Sequence, residues 1–218
     1  MFLFKRLAFL WICFISTSSA FAATPSFEEA EAKIEAESAK IFKDDSAGMP
    51  QRWMVSVAYV SWQEQMSLTS GATSDFGFAD FSGNAITLQR KFFAPESHHG
   101  FLAEGGLLYG AMTAAGAGGV LSYNVSNISW TGVEASVKYF YRLSAQASVA
   151  VGPLALSRQV SYPTVGTGTS GTSGASVNFG GLVEARAFLW PRGELILGIG
   201  KLIQNAAGLW SLGLGYSF

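Results

Sequence analysis

The 218-residue chain has few charges and very few residues with thiol or imidazole chemistry. Charged residues make up 13% of it, about half the share of an average soluble domain. The low hydrophobicity and high net charge of disordered chains are both missing. The 14 Lys and Arg against 15 Asp and Glu leave no basic excess to neutralise phosphates. Composition therefore excludes a disordered protein and argues against a nucleic-acid binder.

The chain begins with a predicted secretory signal peptide over residues 1–22. Lys5 and Arg6 supply its positive charge, an apolar run follows, and Ala20 and Ala22 form a small-x-small cleavage pattern. The apolar run is shorter than the ~20 residues of a membrane-spanning helix. The single cysteine, Cys13, lies inside this segment. The predicted mature chain therefore has no disulfide, no thiolate zinc site and no thiol nucleophile.

The charges divide the mature chain into two regions. Ten of the 22 residues of Thr24–Asp45 are charged, whereas Ser46–Phe218 has eight acids and nine bases, about 10%. Ser26 and Glu29 fit a capping box, and good helix formers follow them. We expect a periplasmic helix and linker over residues 23–50. Its narrow apolar stripe leaves open whether the helix is solvated or binds a periplasmic partner.

After Arg52 the hydrophobic pattern changes to a period of two, which is typical of strands. Eight strands are predicted. The four clearest alternate over Trp53–Tyr59, Val133–Tyr141, Val183–Leu189 and Trp210–Phe218, and the four weaker ones lie near residues 83–93, 101–113, 146–160 and 194–204.

Two features favour a membrane barrel over a soluble sandwich. One face of each clear strand is apolar, while the other carries Gly, Ser and full charges, as the interior of a narrow barrel requires. Long connections, predicted at Gln63–Phe81, Ala114–Ser126 and Ser161–Ser176, alternate with short turns, as in outer-membrane barrels. The prediction is an all-β fold: an eight-stranded antiparallel up-and-down transmembrane β-barrel over residues 51–218, preceded by the short N-terminal helix.

Aromatic residues near the predicted strand ends indicate two interfacial girdles. This expectation covers Trp53, Trp62, Phe92, Phe93, Phe101, Trp130, Tyr139, Tyr141, Trp190, Trp210, Tyr216 and Phe218.

The last strand carries a resemblance to a known family. The chain ends in Phe218, and apolar residues occupy every second position before it: Trp210, Leu212, Leu214 and Tyr216. This pattern is similar to the C-terminal signal by which bacterial outer-membrane barrels engage their assembly machinery. Together with the leader and the eight strands, Arg52–Phe218 resembles the small barrels of the OmpA/OmpX type. The resemblance implies a location in the bacterial outer membrane, outer-membrane lipid and the assembly machinery as partners, and these five residues as the assembly signal.

Strand parity predicts a group of charges inside the barrel. The six residues are Glu104, Glu134, Lys138, Arg142, Glu184 and Arg186, and their formal charges sum to zero. They fit a salt-bridged plug, with an ion or proton path as the alternative. Arg90 and Lys201 have lipid-facing parity and are expected near strand ends, where long side chains snorkel.

The chain offers little for catalysis. Its only histidines, His98 and His99, are adjacent in a predicted periplasmic turn and have no nearby set of acids. We expect no catalytic residue, no metal site and no cofactor. The expected function is that of a non-enzymatic outer-membrane barrel acting in envelope integrity or in surface interaction through its extracellular loops. The alternatives are a narrow, porin-like pore for small molecules and a lipid-modifying enzyme.

Overall fold

The computed structural model describes residues 51–93, 97–116, 120–144, 146–174, 176–190, 192–204 and 207–218. The signal peptide, the helix over Thr24–Asp45 and the linker before Gln51 lie outside these ranges and stay predictions. Within them, no helix is long and apolar enough to cross a membrane.

Nine antiparallel strands account for most of the described residues. They are β1 (Gln51–Ser70), β2 (Thr73–Phe92), β3 (His99–Gly116), β4 (Tyr123–Arg142), β5 (Ala147–Val160), β6 (Ser170–Ser173), β7 (Val177–Trp190), β8 (Gly193–Leu202) and β9 (Gly208–Ser217).

Eight of these strands close into a barrel. Each one pairs with the next along the chain, β5 passes directly to β7, and β9 pairs back with β1 from Met54 to Trp62. Closure leaves no unpaired edge in lipid, where each unsatisfied backbone group would cost several kcal/mol. The fold is therefore the predicted eight-stranded up-and-down barrel.

The short strand β6 is an addition to this barrel. It lies in the connection between β5 and β7 and pairs with β1 over Met66–Thr69, beyond the last residue that β9 pairs with. The connection that holds it, residues 161–176, is the longest between two barrel strands. Long connections mark the extracellular end of such barrels.

The predicted loops at Gln63–Phe81 and Ala114–Ser126 are largely wrong, because the strands continue through them. β1 and β2 stay paired up to Ser70 and Thr73, and β3 and β4 stay paired up to Gly116 and Tyr123. The alternation of polar and apolar residues persists, but the apolar residues change from the outward to the inward face of the strand. Past Tyr59 the outward positions of β1 are polar, and the inward ones are Trp62, Glu64, Met66 and Leu68. Water replaces lipid around this part of the wall, so apolar side chains turn inward.

The wall of the barrel therefore has unequal strands. β1, β2 and β4 have 20 residues each, whereas β8 and β9 have 10. We call the part of β1–β4 beyond Tyr59 of β1, together with β6, the extracellular extension.

Candidate functional site

The periplasmic half of the barrel interior contains a network of ion pairs. Lys138, fully buried, donates to Glu184 and, at 3.0 Å, to Glu104 Oε2. Arg186 donates to Glu184 Oε2 at 2.6 Å and to Glu194 Oε2 at 3.2 Å. Desolvation of each charge is costly, and the opposite charges within hydrogen-bond distance offset that cost.

A further cation and a neutral acceptor extend the network across the barrel. Lys91 of β2 donates to Glu194 of β8, and Arg186 donates to Gln89 Oε1 at 2.9 Å. Strand parity did not single out Lys91, Gln89 or Glu194. Since Arg90 has outward parity, its neighbours Gln89 and Lys91 have inward parity, and this was the sequence signal that could have found those two residues.

The structure places all six predicted interior charges on the inner side of the wall but joins only four of them directly. Glu104, Lys138, Glu184 and Arg186 form hydrogen-bonded ion pairs. Arg142 lies at the periplasmic mouth, with its guanidinium carbon 4.7 Å from the Phe93 ring centre.

The sixth charge, Glu134, lines a small internal cavity together with Gln89, Glu104, Glu184 and uncharged residues. The cavity has about 30 Å³ of space. A water molecule needs at least ~10–15 Å³, so this space fits one or two waters. It is far from the dimensions of a continuous aqueous path.

Large apolar side chains fill the interior on the extracellular side of this cavity. The rings of Trp62 and Phe81 stack with centroids 4.9 Å apart, and Trp130 meets both rings edge-on at 5.0 and 5.9 Å. All three side chains are at most 2% exposed. We call these three residues the aromatic plug. The sequence prediction that Trp62 and Trp130 belong to the interfacial girdles is wrong, because both lie where the strand polarity has inverted.

A buried ion pair connects the aromatic plug to β5 and β6. Arg158 of β5 donates to Glu64 of β1, and Trp62 Nε1 donates to Glu64 Oε1 at 2.7 Å. Arg158 also donates to Ser173 Oγ of β6 at 2.9 Å, and its guanidinium carbon lies 5.1 Å from the Phe81 ring centre. One arginine thus connects β1, β2, β5 and β6.

The outer surface has the composition of a lipid-facing belt. Val57, Leu88, Leu107, Val133 and Val183 are between 45% and 65% exposed. At the periplasmic end, an aromatic girdle of exposed rings follows this belt: Trp53, Phe92, Phe101, Tyr139, Tyr141, Trp190, Tyr216 and Phe218. Trp210 and Tyr59 pack against each other at the opposite border, with their rings tilted by 45° and centroids 5.2 Å apart. Phe93 is half-buried and packs on the interior ring of Phe140 instead.

The residues of the predicted assembly signal all lie on this lipid-facing surface. Trp210, Leu212, Leu214, Tyr216 and Phe218 are 45% to 64% exposed. The backbone N–H of Phe218 donates to the carbonyl oxygen of Trp53 at 3.0 Å, which fastens the end of the chain to the start of β1. Their role in assembly stays a prediction.

The two histidines lie at the periplasmic start of β3. His98 precedes β3 at the periplasmic end, and His99 stacks on Tyr139 at a centroid distance of 5.9 Å. Among the described residues, no group of three His, Cys, Asp or Glu side chains is arranged to hold a metal ion.

A closed antiparallel wall, an aliphatic outer belt and a charged, filled interior define an integral β-barrel of the bacterial outer membrane. No protein-family model matches the chain, and no curated protein matches it.

Solved structures of outer-membrane proteins are similar to the chain in fold. Ail, the attachment invasion locus protein of Yersinia pestis, in complex with the heparin analogue sucrose octasulfate, is 13% identical; the match covers 78% of this chain and 100% of that one, with a TM-score of 0.43. OprG from Pseudomonas aeruginosa is 8% identical over 77% and 95% of the two chains, with a TM-score of 0.45. Neisserial surface protein A is 12% identical over 76% and 97%, with a TM-score of 0.40. At these identities the likeness concerns the fold alone.

Proposed function

We propose that the protein is a non-enzymatic, non-conducting outer-membrane barrel that acts through its extracellular extension, in surface interaction or envelope integrity. The observation that carries the proposal is the filled interior. The aromatic plug and the ion-pair network occupy successive levels of the barrel, and the cavity between them has about 30 Å³. A barrel with its interior filled in this way supports the extracellular hairpin and does not conduct ions.

The extracellular extension is built as a rigid element. The β1–β2 hairpin keeps its pairing to a two-residue turn at Gly71 and Ala72, and β6 adds a third strand beside it. A hairpin with interior packing and a further paired strand holds its shape outside the membrane. Rigid presentation lowers the entropic cost of binding a partner.

The extension also presents an exposed apolar pair. Phe76 and Phe78 point outward on β2 and are 54% and 42% exposed. Phe78 pairs with Gln65 of β1, six residues beyond Tyr59, or about 20 Å along the strand. Exposed aromatic residues away from lipid are typical of interaction surfaces. This pair supports surface interaction as the specific role.

Conductance measurements test the closed interior. We expect wild-type protein in planar bilayers to give no current steps above the lipid background. A Trp62→Ala/Trp130→Ala variant removes two rings of the aromatic plug and opens space at that level alone, so it should also stay closed, because the ion-pair network still fills the periplasmic half of the interior. Stable open-pore steps from the wild type would show that the pore alternative is correct.

A hairpin variant tests where the function lies. Replacing Gln63–Asp80 by a short turn removes the protruding hairpin while keeping the paired, membrane-spanning parts of β1 and β2. We expect this variant still to insert, although the deletion removes Glu64 from its pair with Arg158, and to lose surface interaction or envelope integrity in cells. A Phe76→Ser/Phe78→Ser variant separates the apolar pair from the hairpin itself. A change in lipid A composition in cells that carry either of these two variants, relative to cells with the wild type, would favour the enzyme alternative instead.

A further inference from the structure

Arg90 is a cation on the outer surface of the barrel, at the level of the periplasmic girdle. It lies two residues before the end of β2 and is directly opposite Trp53 of β1 and Ala103 of β3. Its guanidinium carbon is 5.2 Å from the Trp53 ring centre and 5.0 Å from the Phe92 ring centre. The two aromatic contacts hold the charge at the border between the aliphatic belt and the periplasm.

This arginine differs from the cations inside the barrel. Lys91, Lys138, Arg158 and Arg186 each pair with a glutamate. In the described part of the chain no carboxylate pairs with Arg90, and its buried Nε atom has no hydrogen-bond partner. A guanidinium carries five N–H donors in a planar fork, which matches two oxygens of a carboxylate or a phosphate. The donors of Arg90 therefore lack the acceptor that this geometry suits.

The surface next to Arg90 is shaped for an acyl chain. Toward the membrane centre, Leu88 and Ile86 continue along β2, and Val55 and Val57 continue along the paired strand β1. All four point outward and are 39% to 53% exposed. Ala103, on the other side of Arg90, has a small, partly buried side chain. A phosphate at Arg90 thus has apolar surface directly above it for attached hydrocarbon.

We propose that Arg90, Trp53 and Phe92 form a binding site for the phosphodiester of a phospholipid in the periplasmic leaflet, with its acyl chains on Val55, Val57, Ile86 and Leu88. The fork of Arg90 donates to the phosphate oxygens, and the two rings fix the fork at headgroup depth. The acyl surface distinguishes a lipid from free phosphate, because inorganic phosphate gains nothing from those aliphatic side chains.

Native mass spectrometry of the full-length mature protein in detergent tests the site. The probes are dioleoyl phosphatidylglycerol and dioleoylglycerol, which has the same chains and no phosphate. For Arg90→Gln we expect about fivefold to tenfold weaker binding of the first phosphatidylglycerol, and unchanged binding of dioleoylglycerol. Lys201→Gln is the matched control, since Lys201 is an outward cation near the extracellular end of β8, at the other end of the barrel from Arg90. This variant should bind phosphatidylglycerol as the wild type does.

Three results would overturn the proposal. Wild-type affinity in Arg90→Gln would show that the arginine does not hold the lipid. An equal loss of dioleoylglycerol would show that the substitution merely alters the shape of the girdle. Displacement of phosphatidylglycerol by excess inorganic phosphate would show a site for a free anion. Arg90→Lys keeps the charge and removes the planar guanidinium. Its affinity for phosphatidylglycerol should therefore lie between those of wild type and Arg90→Gln. If Arg90→Gln does not fold, Arg90→Lys takes its place in the test.

Discussion

Among the residues inside the barrel, Lys138 is the cation that pairs with Glu104 in the ion-pair network. It is fully buried and neutralises carboxylates on two other strands, Glu104 of β3 and Glu184 of β7. Glu184 also pairs with Arg186, whereas no other cation pairs with Glu104 among the described residues. Removing the lysine therefore leaves Glu104 as an uncompensated charge in the barrel interior.

For Lys138→Met we expect a loss of about 3–5 kcal/mol in the free energy of unfolding, because a buried pair is broken on one side. Urea titration in lipid vesicles, followed by the gel shift between folded and unfolded barrel, measures it. The double variant Lys138→Met/Glu104→Gln should recover part of the loss, since Arg186 still neutralises Glu184. Lys201→Met, at an exposed strand end, should stay within about 0.5 kcal/mol of wild type. A Lys138→Met barrel as stable as that control would contradict the role given to the network.

Sequence parity foresaw the inward side of the interior charges because lipid imposes one rule on the membrane-spanning part of every strand. The expectation that Trp62 and Trp130 belong to the girdles comes from their position near predicted strand ends, although their parity is inward. It is wrong because the strands continue beyond the membrane, and the sequence does not mark where the membrane ends. The partners of each charge depend on which strands lie side by side and in what register. Lys91 and Glu194 are 103 residues apart in the chain and meet only through closure of the barrel.

At the scale of elements, one arginine joins β6 to the rest of the extracellular extension. Arg158 of β5 contacts Glu64 of β1 and Ser173 of β6, while Tyr123 of β4 donates from its hydroxyl to the Pro163 carbonyl at 2.9 Å. Burial raises the pKa of Tyr123, in keeping with a hydroxyl that stays neutral and donates. β6 itself has only four residues, so its position depends on these side-chain contacts.

For Arg158→Met we expect β6 to detach from β1. The amides of Ser170–Ser173 should exchange hydrogen at least about tenfold faster than in wild type, since local opening replaces a paired strand. The amides of β8 provide the internal control, because that strand pairs with neither β1, β5 nor β6. The double variant Arg158→Met/Glu64→Gln also removes the charge of Glu64 that the single variant leaves uncompensated. It should restore part of the protection of the β6 amides from hydrogen exchange. Unchanged exchange in β6 would show that backbone pairing alone holds it.

For the barrel as a whole, closure is the step that satisfies every strand edge in lipid. The last amide of the chain takes part in it, through the bond from Phe218 N–H to the Trp53 carbonyl. The predicted assembly signal and the closing contact therefore coincide at one residue. This coincidence follows from the register of β9 on β1, which the sequence does not reveal.

We expect deletion of Phe218 to lower the amount of folded protein that reaches the outer membrane and to slow its arrival. Pulse-labelling with membrane fractionation measures both, and the gel shift on heating reports closure. Phe218→Tyr keeps the ring and the backbone bond and is expected to assemble normally. Arrival of the deletion variant at the wild-type rate and yield would contradict the assembly role of Phe218.

The unequal strands of the wall give the barrel a direction within the plane of the membrane. One side rises with the 20-residue strands β1, β2 and β4, and the other ends with the 10-residue strands β8 and β9. Ten residues correspond to about 33 Å along a strand. A neighbour in the same leaflet thus meets a tall protein surface on one side and an early transition to solvent and headgroups on the other. Rotation about the barrel axis changes what such a neighbour contacts, although the depth of the protein in the bilayer stays the same.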